Sequence, residues 1–265
     1  MEYEYLKIEK DRHVAMVIFN RPEKLNALNV GLMNEILHAA ESFREDAGTR
    51  VVIFSGAGKM FSAGVDLSDT AYMQHIENDS TLMKLRFLRQ GSQMIKAIFD
   101  MDAITIAAVN GAATGGGACI AAACDFRIGA ADCRIGYPEV GLGMNLSWGA
   151  LAMCVRLIGP ARAKRMVILA KKESAETLYQ WGYLDEMVPP DQLMAEARAM
   201  AETYAAKPPI AAQMVKRSIN AISSVLDQAV THMDADQFLL TLNTQDCMEG
   251  VTAFLEKRKP DFKGE

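Results

Sequence analysis

The sequence predicts an α/β fold built on a parallel sheet, and three observations carry that prediction. Short apolar, β-branched runs alternate with segments of helical periodicity through the first half of the chain. One such run, Ile104–Val109, leads directly into a glycine-rich turn and then a series of small helix formers. The last third of the chain reads almost wholly as helix. Strands joined through helices imply right-handed crossovers, which set successive strands side by side and parallel.

Each element has its own signal. Val14–Phe19 alternates loosely and is rich in β-branched residues, so it reads as a strand, broken by Asn20-Arg21-Pro22. Asn29 caps the helix that follows, whose apolar face is Leu32, Met33, Ile36, Leu37 and Ala40. Residues 51–54 form the next strand, ended by Ser55-Gly56-Ala57-Gly58. Residues 68–100 mix charges with Met73, Ile76, Phe87, Leu88, Met94 and Ile95, a pattern of helices with a mobile piece near Glu77-Asn78-Asp79-Ser80. Ile104–Val109 is a buried strand, and Gly111 with Gly115-Gly116-Gly117 makes a turn free of side chains. Residues 118–124 continue as a buried helix. The start of such a helix presents unpaired backbone N–H groups at a crevice, a place suited to a phosphate or to an oxyanion that develops during a reaction.

Further on, Ile158-Gly159-Pro160 breaks the chain before a helix over residues 161–170, and Ser174 caps the next one. Pro189-Pro190 marks a boundary, after which the helical pattern is interrupted only by Lys207-Pro208-Pro209. The expected organisation is a core over residues 1–190 and a helical region over residues 191–265.

The composition narrows the class. Half of the 265 residues are hydrophobic and 23% are charged, the balance of a soluble globular protein. A net charge of -5 argues against a nucleic-acid binder. The five cysteines form no CxxC pair, which fits reduced thiols in the cytoplasm. The charged N-terminal stretch lacks an apolar signal core and no run reaches membrane-spanning length, so no membrane association is expected. Four scattered histidines show no metal-ligand spacing, and no metal is expected.

Seven blocks, in order, resemble the crotonase family of enoyl-CoA hydratases and isomerases. They are NRPEKLNAL (20–28), SGAGKMFSAGVDL (55–67), AAVNGAATGGG (107–117), YPEVGLG (137–143), IGPARAKRMVI (158–168), WGYLDEMVP (181–189) and EGVTAFLEKRKPDF (249–262). The resemblance implies a crotonase-like spiral of ββα units with a helical C-terminal trimerisation region. It also implies an acyl-CoA thioester as substrate, with no cofactor beyond the coenzyme A that the substrate carries. Family members are commonly trimers, often paired into hexamers. The apolar faces over residues 210–226 and 238–242 are consistent with a homo-trimer or hexamer.

By the same resemblance, the N–H groups of Val65 and Gly116 form an oxyanion hole. Two preorganised donors let the thioester carbonyl take up negative charge, and losing one such donor typically costs ~3 kcal/mol of barrier. The family's catalytic glutamate matches Glu139. Its apolar and glycine neighbours deprive a carboxylate of hydration, so its pKa is expected to rise toward a value useful for proton transfer. Ala63, Asp66 and Leu67 correspond to positions that meet the adenine of coenzyme A through backbone groups. Lys24, Lys257 and Lys259 are candidates for its phosphates.

One departure matters. Family hydratases carry a second glutamate two residues after the GGG run, and here that position is Cys119. Dienoyl-CoA isomerases place an aspartate there and another eight residues past the catalytic glutamate, where this chain has Ser147. Asn145, Ser147 and Trp148 replace the usual small, glycine-rich segment and are read as pocket-shaping. A single carboxylate suits removal of a proton from one carbon and its return to another. The expected activity is therefore enoyl-CoA isomerisation. The alternatives are hydration or another crotonase reaction, and a non-catalytic acyl-CoA-binding scaffold. A dinucleotide site is disfavoured, because no GxGxxG follows the first strand.

Overall fold

The computed structural model describes residues 2–265. Among the described residues, nine strands form two sheets. The larger contains β1 (Leu6–Asp11), β2 (Val14–Phe19), β3 (Val51–Gly56), β4 (Ile104–Val109), β6 (Phe126–Ala130) and β9 (Glu186–Val188), side by side in that order. The smaller orders β5 (Ala112–Thr114), β7 (Arg134–Gly136) and β8 (Glu173–Ser174). From β2 to β9 the large sheet is parallel, as the alternation of strands and helices predicts; only β1 runs antiparallel, at the edge. β1 had no strand signal in the sequence, because its residues beyond Leu6 are half-buried or exposed.

The helices are α1 (Val30–Ser42), α2 (Thr70–Asn78), α3 (Thr81–Phe99), α4 (Gly116–Ala123), α5 (Ala150–Ile168), α6 (Ala175–Trp181), α7 (Leu193–Ala205), α8 (Pro209–Ser223), α9 (Gln228–Thr231), α10 (Asp234–Leu242) and α11 (Gln245–Glu256). Both capping predictions hold. Asn29 Oδ1 accepts the Leu32 N–H at 2.8 Å, and Ser174 Oγ accepts the Thr177 N–H at 3.2 Å. The expected break at Ile158-Gly159-Pro160 is present, as a kink between the two helices that together make up α5. The first of these runs from Ala150, and Gly159, at φ 78° and ψ 163°, lies outside the helical conformation between them. The segment at Asp79–Ser80 separates α2 from α3, and Ser80 caps α3.

Three successive turns share one plan. A strand of the large sheet passes to a strand or bridge of the small layer, then to a helix: β3, the Ser62 bridge, α2 and α3; β4, β5 and α4; β6, β7 and α5. This is the ββα spiral. The core lies between the large sheet and its helices, with Val17, Phe19, Ile53, Phe54, Ile106 and Val109 fully buried. α7 buries Leu193, Ala197, Ala201 and Ala205 against β2, β3, β4 and β6. α8 is anchored by one buried charge. Lys216 Nζ reaches Asp125 Oδ2 and donates to Ala103 O, both at 2.7 Å. Its outer face leaves Ile210, Ile219 and Ile222 exposed, and Leu226 beyond its end is exposed as well. Among the described residues, no helix is long and apolar enough to cross a membrane, and no cluster of three His, Cys, Asp or Glu side chains could hold a metal.

Candidate active site

Val65 and Gly116 belong to different turns of the spiral, and a short bridge holds those turns together. Ser62 pairs with Ala113: its N–H donates to Ala112 O at 3.1 Å, and its carbonyl accepts the Thr114 N–H at 2.9 Å. Ser62 Oγ donates to Asn26 O at 2.8 Å, and Asn26 Nδ2 in turn donates to the carbonyls of Ala57 and Met60. Only a glycine fits at 64. Its φ is 90°, and a Cβ there would stand 2.7 Å from Thr114 O and 3.5 Å from Gly116 N.

On the other side, the Leu28 N–H donates to Gly64 O at 2.7 Å and its carbonyl accepts the Asp66 N–H at 3.0 Å. In a parallel bridge these two bonds flank the paired residue, so the N–H of Val65 faces away from Leu28. Gly116 is the first residue of α4, after Gly115 at φ 53° and ψ -119°. An N–H in a first helical turn has no acceptor within its own helix. The two segments expected to supply oxyanion donors therefore meet at one helix N-terminus.

Glu139 opens a short 3-10 turn, Glu139–Leu142, that follows β7. The end of β7 is tied to the glycine run, since the Gly115 N–H donates to Gly136 O at 3.0 Å. The side chain lies against Gly115, with Oε1 2.8 Å from where a Cβ on that residue would be. Glu139 is half-buried as a residue, yet its Oε2 is sealed from solvent and has no hydrogen-bond partner. Burial penalises the charged form and pushes its pKa up to about 7, against a smaller opposing effect of its own backbone. A carboxylate with a free oxygen and a pKa near neutrality is poised to take and return protons.

Cys119 sits one turn along α4 and is buried. Burial, followed by the nearby charges of Glu139 and Asp234, drives its thiol pKa well above the ordinary value. It stays protonated and is a poor base or nucleophile. Asn145, Ser147 and Trp148 lie on one loop before α5. Asn145 donates its N–H to Thr241 Oγ1 and its side-chain amide to Gln237 Oε1, each at 3.0 Å. Ser147 O accepts the Ala150 N–H at 3.3 Å. Trp148, at φ 64°, lays its indole against Gly116 and Gly91.

The segment expected to meet coenzyme A is well ordered by internal bonds. The Ala63 and Asp66 N–H groups donate to Leu25 O and Leu28 O, which leaves their carbonyl oxygens as the backbone groups not engaged through these bonds. The Asp66 carboxylate is held by Arg21 Nη2 at 3.1 Å and by Ser68, while Leu67 is exposed. Lys24, Lys257 and Lys259 are all exposed. Two surface cavities, of about 310 and 280 Å³, lie elsewhere, one beside Lys7 and Met194 and the other between Arg89 and His232.

Four residues that bear on the site escaped the sequence reading. Gly91 receives the Trp148 ring, and Asp234, Gln237 and Thr241 of α10 hold the 145–149 loop. A glycine inside a helical pattern was the one available signal for the first; the others are paired across some 85 to 96 positions of chain.

Comparison with known proteins agrees with this architecture. A family model described as enoyl-CoA hydratase/isomerase matches residues 9–265. The crotonyl-CoA hydratase of Syntrophomonas wolfei is 36% identical over 99% of each chain. The short-chain-enoyl-CoA hydratase of Clostridium acetobutylicum is 34% identical over 98% of this chain and 97% of that one. Among solved structures, an enoyl-CoA hydratase from Mycobacterium avium subsp. paratuberculosis superposes with a TM-score of 0.88 at 26% identity, covering 99% of this chain and 100% of the other. The chain therefore belongs to the enoyl-CoA hydratase/isomerase family.

Proposed function

We propose that the protein adds water across the double bond of a 2-enoyl-CoA, with Glu139 moving the proton. The observation that carries this reading is the Glu139 carboxylate itself, with its unpartnered Oε2, its pKa of about 7 and its place beside the glycine run. The thioester carbonyl accepts the N–H groups of Val65 and Gly116. Glu139 takes a proton from water, and the oxygen bonds to carbon 3 as the double-bond pair moves onto the carbonyl oxygen. The oxyanion then returns its pair, and carbon 2 takes the proton from Glu139. The product carries one water more than the substrate, and the carboxylate ends as it began. The names of the full-length relatives support hydration ahead of the isomerisation expected from the sequence.

Isomerisation stays as a second reading because of one residue. Cys119 stands where family hydratases have their second acid, and its protonated thiol does not replace one. The same Glu139 would take a proton from carbon 2 of a 3-enoyl-CoA and return it to carbon 4.

A panel of 2-enoyl- and 3-enoyl-CoA esters separates the two. Hydration removes the conjugated absorbance of a 2-enoyl ester and yields a product one water heavier. Conversion of 3-enoyl esters alone, at constant mass, would replace the first reading with the second. No conversion of either series would end both.

A further inference from the structure

We propose that Trp148 sets the upper size of the acyl group, closing the pocket beyond the thioester so that short-chain enoyl-CoA esters are preferred. This rests on the acyl-CoA reading above. The Trp148 indole lies across Gly116, whose N–H is assigned to the thioester oxygen. A Cβ on Gly116 would stand 2.5 Å from Cζ3 and 3.0 Å from Cη2 of the ring. The other edge of the indole occupies a notch in α3, where a Cβ on Gly91 would overlap Cε2 and Nε1. Gly91 lies inside a 19-residue helix, a poor setting for glycine unless something must approach closely. That something is the tryptophan ring. Glu139 stands over Gly115 and Trp148 over Gly116, so the carboxylate and the indole stand over adjacent residues of the glycine run, one of them a donor assigned to the thioester oxygen. An acyl chain that grows past the reacting carbons meets the ring.

The ring is held rather than loosely placed. Trp148 has φ 64°, a conformation that bulky side chains rarely adopt, between Gly143 and Gly149, both at φ 72°. The loop is pinned at both ends to one face of α10. Asn145 bonds Thr241 and Gln237, and the Gly149 N–H donates to Asp234 Oδ2 at 2.6 Å. Residues 234, 237 and 241 are spaced by three and four, so they share that face. A pinned loop with a strained tryptophan directed into a glycine notch is a fixed wall, and a fixed wall discriminates by size.

The test compares the parent protein with Trp148→Ala and Trp148→Phe. Binding of butyryl-, octanoyl- and dodecanoyl-CoA is measured by calorimetry, and turnover is followed on the matching 2-enoyl esters. The parent is expected to bind the four-carbon ester and to lose at least ~10-fold in kcat/KM by the eight-carbon ester, since even one methylene misfit commonly costs that much. Trp148→Ala should recover binding and turnover of the longer esters, with Trp148→Phe between. A parent that handles twelve carbons as well as four overturns the proposal, without reliance on the folding of any variant. So does a well-folded Trp148→Ala with the parent's chain-length profile. Binding without turnover in every variant would break the hydratase reading while leaving the size limit measurable. Absence of binding by any CoA ester would overturn both.

Discussion

The Glu139 carboxylate fills the space that a side chain at Gly115 would need, its Oε1 2.8 Å from that missing Cβ. With Gly115 itself at φ 53°, any larger residue at 115 would be strained and would push the carboxylate aside. Glu139→Gln keeps the shape and removes the base. Turnover is expected to fall at least ~100-fold with acyl-CoA affinity little changed, the loss typical of removing a general base. In the parent, kcat/KM should rise with pH and reach half its plateau near 7, where the carboxylate ionises. A flat profile from pH 5 to 9, or near-normal turnover in the glutamine variant, would remove Glu139 from the mechanism.

Stability should move in the opposite direction. The folded pKa of Glu139 is raised from 4.5 to about 7, so the folded state binds this proton more tightly than the unfolded one. No penalty exists below pH 4.5; it grows as pH rises and is complete above 7. Glu139→Gln should therefore stabilise the protein at pH 8 by up to ~3 kcal/mol relative to its effect at pH 4.5. Urea unfolding of both proteins at the two pH values measures the difference.

Cys119 is expected to be a chemical spectator. Cys119→Ala should leave turnover close to that of the parent, at a stability cost of ~1 kcal/mol. The native thiol should resist alkylation at pH 8, because burial keeps it protonated. Rapid labelling, or collapse of activity in the alanine variant, would contradict this role.

Lys216 and Asp125 form a pair with side-chain exposures of only 4% and 15%. Removing the lysine leaves a carboxylate in a confined site. Lys216→Ala should cost ~3–5 kcal/mol, as breaking a buried pair does. Lys216→Met in an Asp125→Asn background should recover much of it. An unchanged melting temperature in Lys216→Ala would refute the anchor.

α8 exposes Ile210, Met214, Ile219 and Ile222, and Leu226 just beyond it is exposed too, more large apolar side chains than scattered single exposures account for. The protein is expected to assemble as a trimer or hexamer through them. Light scattering at micromolar concentration should give such a mass, and Ile222→Glu should lower it. A monomer in the parent would refute the assignment.

The local parts of this structure were legible in the sequence for physical reasons. Asn29 and Ser174 announce helices because a side-chain oxygen there satisfies an otherwise unpaired N–H. The strand at Ile104–Val109, the glycine turn and the helix after it follow from periodicity and from glycine's freedom. Glu139 stood out by its match to the family's catalytic glutamate, with apolar neighbours that accord with a raised pKa. What stayed hidden depends on long-range pairing. Nothing near Asp234 in the chain announces that it will hold Gly149, and nothing near Gly91 announces an indole. The break at Gly159-Pro160 was legible, because Gly159 leaves the helical conformation there; the helix that precedes it from Ala150 was not.

α10 has two faces with different tasks. One carries Asp234, Gln237 and Thr241 to the loop that holds Trp148; the other leaves Leu240 71% exposed. A neighbouring subunit seated on Leu240 would press on the same rod that sets the acyl wall. Activity per subunit then becomes a function of dilution. For an assembly joined at Leu240, dilution to single subunits should soften discrimination among chain lengths before the chemistry proposed for Glu139 is lost, because the loop that carries Trp148 is bonded to α10.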